Sequence, residues 1–226
     1  MPEVWLDFVW QVGWVVVGFL VWVVGCGSGA SGMGEQLSFA GLDGSSDPAD
    51  GVFFATFPEL NVATRAAQAA RHLCAKHGLT GRPIAAERLH VSLRSVGDYA
   101  GLPRGIVAAA CEAAAAVTMP AFKVAFDRAV SFSGRPGSPP LVLRGGDGVA
   151  GLMVLHQRLG MALRQVGFRC RANPQYEPHV TLLYGAPCFV EQAIETVGWT
   201  VREFVLVHSL HGQKRYVQLG QWSLQG

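Results

Sequence analysis

Two pentapeptides of one pattern hold the residues best suited to chemistry: Leu89-His90-Val91-Ser92-Leu93 and Pro178-His179-Val180-Thr181-Leu182. Each sets a His and a hydroxyl two residues apart between apolar neighbours. In an extended strand side chains alternate faces. His90 therefore shares a face with Ser92, and His179 with Thr181, while Val91, Leu93, Val180 and Leu182 turn into a core. An imidazole with its unperturbed pKa of about 6.5 can be neutral or charged near neutral pH. One ring can thus take a proton from an attacking water while the other gives one to a leaving oxygen. Ser92 and Thr181 can donate to the non-bridging oxygens of a phosphate held between them. Two imidazoles, two hydroxyls and no paired carboxylate suit metal-free, in-line cleavage of a phosphodiester.

The other five His residues carry weaker signals. His72, His77 and His156 fall on expected helices, where surface positions are the ordinary outcome. His208 and His211, three apart near a strand end, should point to opposite faces and make a poor metal pair. Cys26, Cys74, Cys111, Cys170 and Cys188 are odd in number and contain no CxxC pair. Neither a disulfide framework nor a zinc site is indicated, and a reduced, cytoplasmic protein without metal or cofactor is expected.

The elements that must position these residues can be read from pattern and punctuation. Strands are expected at 52–57, 89–96, 123–132, 141–143 and 178–184, with a closing hairpin of 201–208 and 215–222 around Gly212. Helices are expected at 60–77, capped by Gly78, at 104–117 after Pro103, and at 149–166, ending at Gly167. Helices and strands mix without a strict βαβ rhythm, which points to an α+β fold. An internal echo adds to this. Gly78 precedes His90 by 12 residues, and Gly167 precedes His179 by 12. At the same offset of 89, Leu79 matches Phe168, Arg82 matches Arg171 and Leu93 matches Leu182. Two related lobes facing each other follow from the repeat.

Charge divides the chain of 226 residues. Residues 1–60 hold seven acidic residues and no Lys or Arg, whereas residues 61–226 hold all 18 basic residues against nine acidic ones. Fifteen of the 18 are Arg. A basic body favours an anionic partner such as phosphate or RNA. Residues 1–50 read as an apolar segment and a flexible linker, and 51–226 as the functional domain. Val4–Val24 is long enough to cross a bilayer, yet its start offers Glu3 and Asp7 where an export signal needs positive charge, and no Lys or Arg precedes Arg65. Three readings stay open: translation upstream of a true start near Met33, a membrane anchor through residues 4–24, or a lipoprotein signal at Cys26. The Gly27–Gly32 stretch fits G-x-G-x-x-G, but no helix pattern follows it, so it reads as linker.

The paired H-x-S/T-x pattern, its spacing and the closing 216–224 stretch resemble the 2H phosphoesterase superfamily. Within it the chain is most similar to the bacterial RNA 2′,3′-cyclic phosphodiesterases, also named 2′-5′ RNA ligases. The resemblance runs from about Val52 to Leu224. It implies a bilobal α+β fold, two pseudo-symmetric lobes of antiparallel strands with outer helices around a central cleft. It also implies hydrolysis of an RNA terminal 2′,3′-cyclic phosphate to a 2′-phosphate, with His90 as proton donor, His179 as acceptor, and Ser92 and Thr181 on the phosphate. No metal is implied, and a monomer is expected. The alternatives are 2′-5′ RNA ligation in the same site, or a domain that only binds nucleotide or RNA. Two departures stand out. Ser92 replaces the commoner Thr, which keeps the hydroxyl. Tyr184 stands five residues after the second His, where the phosphodiesterases often carry Arg; Tyr184 stays a candidate substrate contact, and Arg94, on the face of His90, or Arg135 could supply the missing cation.

Overall fold

The computed structural model describes residues 50–132, 139–169, 175–185, 187–213 and 215–225. Arg135, Arg171, Cys26, Cys170, the 4–24 segment and the Gly27–Gly32 stretch lie outside them. Eleven main elements follow in order: β1 (Asp50–Thr56), α1 (Leu60–His77), β2 (Val91–Tyr99), α2 (Arg104–Ala115), β3 (Phe122–Ser131), β4 (Leu141–Arg144), α3 (Ala150–Gln165), β5 (His179–Leu183), β6 (Gln192–Val201), β7 (Glu203–Leu210) and β8 (Arg215–Ser223). The eight strands form one sheet in the order β6-β3-β4-β5-β2-β1-β7-β8, every neighbouring pair antiparallel.

The sheet repeats about its centre. Outward from the middle, β5 answers β2, β4 answers β1, β3 answers β7 and β6 answers β8. The two halves meet through one residue pair, Val91 with Val180. These are the residues that follow the two His, 89 apart, so the pseudo-dyad passes between the motifs. The helices cross over it. The helix α1 packs on β5 and β6 of the other half, and α3 packs on β2 and β3. Both helices end alike. Gly78 (φ 61) and Gly167 (φ 94) take the left-handed conformation, and the next amides, Leu79 and Phe168, each return 3.0 Å bonds to the Cys74 and Leu163 carbonyls. That is the Schellman closure, which only glycine enters without a Cβ penalty. The echo at offset 89 is therefore structural.

The core lies under the helices. Val91, Leu93, Val180 and Leu182 are buried to 1% exposure or less, as alternation from the motifs requires. On α1 the inward face is mostly small, with Ala63, Ala66, Ala67 and Ala70 buried, which lets the helix lie close on the sheet. Among the described residues no helix is long and apolar enough to cross a membrane.

Two elements depart from the sequence expectation. The strand β6 carries no signal strong enough to be expected, and Val201 closes it instead of opening the hairpin. Glu195, Thr196 and Gly198 dilute its pattern, and only Val197, Trp199 and Val201 turn inward as buried residues. Gly198 is needed there, because a Cβ would stand 2.7 Å from the Val124 carbonyl of β3. The helix at 149–166 begins instead with a 3-10 turn, Asp147–Val149, that leads into α3.

Candidate active site

The register at the pseudo-dyad assembles the four motif side chains. Continuing the antiparallel pairing one residue either way from Val91–Val180 sets His90 opposite Thr181 and Ser92 opposite His179. Directly opposite residues have Cβ atoms about 5 Å apart, so the four form a square on the face away from the core. Ser92 is exposed, and His90, His179 and Thr181 are half-buried.

Both rings are held the same way. His90 Nδ1 lies 2.8 Å from the Arg88 carbonyl and His179 Nδ1 lies 2.8 Å from the Glu177 carbonyl. A carbonyl only accepts, so Nδ1 carries the hydrogen in both rings and Nε2 is left to work. His90 Nε2 is 3.1 Å from the Ser92 Oγ. The bracing carbonyls again differ by 89 residues. For Arg88 the geometry comes from a 3-10 turn, Ala86–Arg88, and from the Ile84 amide, which donates to the Leu182 carbonyl at 2.7 Å.

The surroundings of the two rings differ. Phe53, Phe57 and Tyr216 ring His90 with centroids at 5.4, 5.6 and 5.4 Å, above a small apolar cluster of Ala55, Val205 and Val207. Phe132 meets His179 edge-on at 4.8 Å. Burial pushes the His90 pKa below the ordinary imidazole value; the Arg88 carbonyl bond opposes this, and the charges of His179 and Arg88 add to it. Without ligand, His90 thus favours the neutral form.

Of the cations expected from the sequence, Arg94 lines a cavity of about 640 Å³ together with Ser92 and His179. Its guanidinium lies against Gly160 of α3, filling the space that a Cβ there would occupy. Tyr184 is 61% exposed just beyond the end of β5. Arg135 lies outside the described residues.

Sequence reading missed two other arginines. Arg88 stacks its guanidinium 4.9 Å over the Tyr216 ring beside His90, and among the described residues its Nε has no hydrogen-bond partner. The signal was available, since Arg88 stands two residues before His90. Arg144 pairs with His179 across β4, but Glu177 and Glu191 hold it in ion pairs.

His156 is a correction. It is buried at 6% exposure, not on the surface. Its Nδ1–H donates to the Leu93 carbonyl at 2.6 Å, and its ring stacks on Tyr176 with centroids 3.8 Å apart. Leu152, His156, Leu159 and Leu163 form an i, i+4, i+7, i+11 stripe, so helical spacing already placed His156 inward. His208 is also buried, its Nε2 2.8 Å from Asp50 Oδ2, while His211 reaches the same carboxylate through its backbone amide. Among the described residues no three His, Cys, Asp or Glu side chains gather as a metal site.

The family model of the 2′-5′ RNA ligase superfamily matches residues 58–213, a span that holds both motifs. The chain belongs to that superfamily. Its members are the 2H phosphoesterases and ligases, so this is an enzyme superfamily, and solved structures agree on the fold. Escherichia coli LigT complexed with 3′-AMP is 26% identical with a TM-score of 0.61, over 79% of this chain and 99% of that one. LigT in its apo form is 25% identical with a TM-score of 0.59, over 80% and 100%. TT0787 of Thermus thermophilus, 20% identical, shows the fold alone, with a TM-score of 0.62 over 78% and 98%. No curated protein matches the sequence.

Proposed function

We propose that this chain hydrolyses the terminal 2′,3′-cyclic phosphate of RNA to a 2′-phosphate. The observation that carries the reading is the square of His90, Ser92, His179 and Thr181, with both Nδ1 atoms committed to backbone carbonyls. The phosphate would sit between the two Nε2 atoms. His179 takes the proton of the attacking water as its oxygen bonds to phosphorus. The bond from phosphorus to O3′ breaks, and His90 delivers its proton to O3′. The products are a free 3′-hydroxyl and a 2′-phosphate, so atoms and charge balance without a metal or cofactor.

The low His90 pKa fits a donor that is charged only when substrate is present. An anionic phosphate beside Nε2 favours the imidazolium, so binding would load the acid. Ser92 and Thr181 would hold the non-bridging oxygens. Arg88 would supply the cation that Tyr184 does not. The aromatic residues around His90 offer faces for a nucleobase, and the structures of LigT with 3′-AMP and with ATP support a nucleotide ligand.

The superfamily description favours one second reading. With a 5′-hydroxyl in place of the attacking water, the same residues would join a 2′-5′ linkage: His179 takes the hydroxyl proton as its oxygen bonds to phosphorus, the bond to O3′ breaks, and His90 protonates O3′. A purely binding domain would need no proton-transfer pair. The two reactions are separated by incubating the full chain, with EDTA, against an oligonucleotide ending in a 2′,3′-cyclic phosphate together with one bearing a 5′-hydroxyl, where ligation would give a longer strand. Hydrolysis gives a 2′-phosphate product that EDTA does not suppress. A 3′-phosphate product, or loss of turnover in EDTA, would overturn the reading. An RNA substrate and reduced cysteines suit the cytoplasm.

A further inference from the structure

One contact across the pseudo-dyad does not obey the repeat. Past Val91–Val180, β2 runs on to Tyr99 while β5 begins only at His179, so the segment leading into β5 lies beside β2 without strand pairing. Two side chains bridge the gap. The Tyr176 hydroxyl donates to the Ser92 carbonyl at 2.9 Å, and His156 Nδ1–H donates to the Leu93 carbonyl at 2.6 Å. Their rings lie flat on each other, 3.8 Å between centroids and 8° between planes. Successive carbonyls of the first motif are thus satisfied from two separate elements, α3 and the lead-in to the second motif.

This bracket is not a by-product of the symmetry. At the offset of 89, Tyr176 answers to Glu87 and His156 to Ala67, neither of which can repeat the contact. Burial keeps the phenol protonated by raising its pKa, so the hydroxyl stays a donor across the working range. Tyr176 is also three residues before His179, and the carbonyl that orients the His179 ring belongs to Glu177 between them. One short segment therefore ties the backbone of Ser92 to the backbone that aims His179.

We propose that Tyr176, braced by His156, is a positioning residue that sets the Ser92 hydroxyl beside His90, across from His179, where the lobes meet. It acts through Ser92 and touches no reacting atom. The inference rests on the phosphodiesterase reading for its kinetic consequence and on geometry alone for its structural one.

The test is Tyr176→Phe in the full chain, which keeps the stacked ring and removes only the bond to Ser92. On a cyclic-phosphate oligonucleotide kcat should fall about 5- to 20-fold, since small misplacements of a reacting geometry are costly. KM should stay within about twofold, because an exposed substrate is still bound by the remaining groups. In a Ser92→Ala background the same substitution should change kcat by less than about twofold, because the hydroxyl it positions is gone. Full kcat in Tyr176→Phe, or an equal fold-loss in both backgrounds, overturns the proposal. Amide hydrogen exchange over residues 92–96 gives a readout that does not depend on activity. It should quicken in Tyr176→Phe while 203–210 stays as in the parent. If the parent does not turn over cyclic phosphate, the functional reading fails, and unchanged exchange at 92–96 would then overturn the bracket by itself.

Discussion

Removing the Ser92 hydroxyl tests the site most finely, because the structure separates its chemistry from its packing. Ser92 is exposed on the cleft face, while its neighbours Val91 and Leu93 are 0% and 1% exposed on the other. Ser92→Ala therefore deletes no core contact, and the change in stability should stay within about 0.5 kcal/mol. For a body of this size that is a melting shift of about 1–2 °C. The kinetic cost is larger. Losing one hydrogen bond to a charged group costs about 1.5–3 kcal/mol, roughly ten- to a hundredfold in kcat/KM at 1.4 kcal/mol per factor of ten. The assay is a thermal melt beside initial rates on a cyclic-phosphate oligonucleotide, with Thr181→Ala in parallel. A mutant that melts many degrees below the parent yet turns over normally would show the hydroxyl to be structural and the cleft face to be misassigned.

Other substitutions probe neighbouring parts of the account. In His179→Ala the residual rate should fall as pH rises through the His90 pKa, which burial holds below the ordinary value, since only the protonated ring can donate. A residual rate that climbs with pH would reverse the roles of the two His. Arg88→Met keeps the stem against Tyr216 and removes the cation, so KM should rise about tenfold and the dependence of kcat/KM on salt should weaken; an unchanged KM would leave the missing charge unexplained. A chain shortened to begin a few residues before Asp50 should fold and keep full kcat, because the described elements start at Asp50. Loss of activity in that chain, with the full chain active, would make the removed residues part of the working protein.

The site was legible in the sequence where chemistry and alternation coincide. A His and a hydroxyl two apart can share a face only in a strand, and their repetition at 89 residues announced the pseudo-dyad on which Val91 meets Val180. Gly78 and Gly167 were equally plain, because few other residues close a helix in the left-handed region. What stayed hidden depends on partners distant in sequence. The stripe with Leu152, Leu159 and Leu163 places His156 inward, but the Leu93 carbonyl and the Tyr176 ring that satisfy it there are displayed by no helical wheel. Arg94 satisfies the period of two counted from His90, yet its guanidinium lies along Gly160, since a long flexible side chain need not follow its Cβ. Arg88 was overlooked because it precedes the strand, on the 3-10 turn that also braces His90. The strand β6 was lost to Gly198, whose purpose is the close approach of β3, a contact no local window contains.

The central claim is that two imidazoles pass protons in one step across one phosphate. Its most direct test is the rate of 2′-phosphate formation in the presence of EDTA for the parent, His90→Ala, His179→Ala and the double mutant. Each single change should lower kcat by about 10²–10⁴-fold, and the double mutant should be scarcely slower than the worse single one, because groups that act together are not additive. Near-parent turnover in either single mutant, or losses that simply multiply in the double, would contradict the paired mechanism.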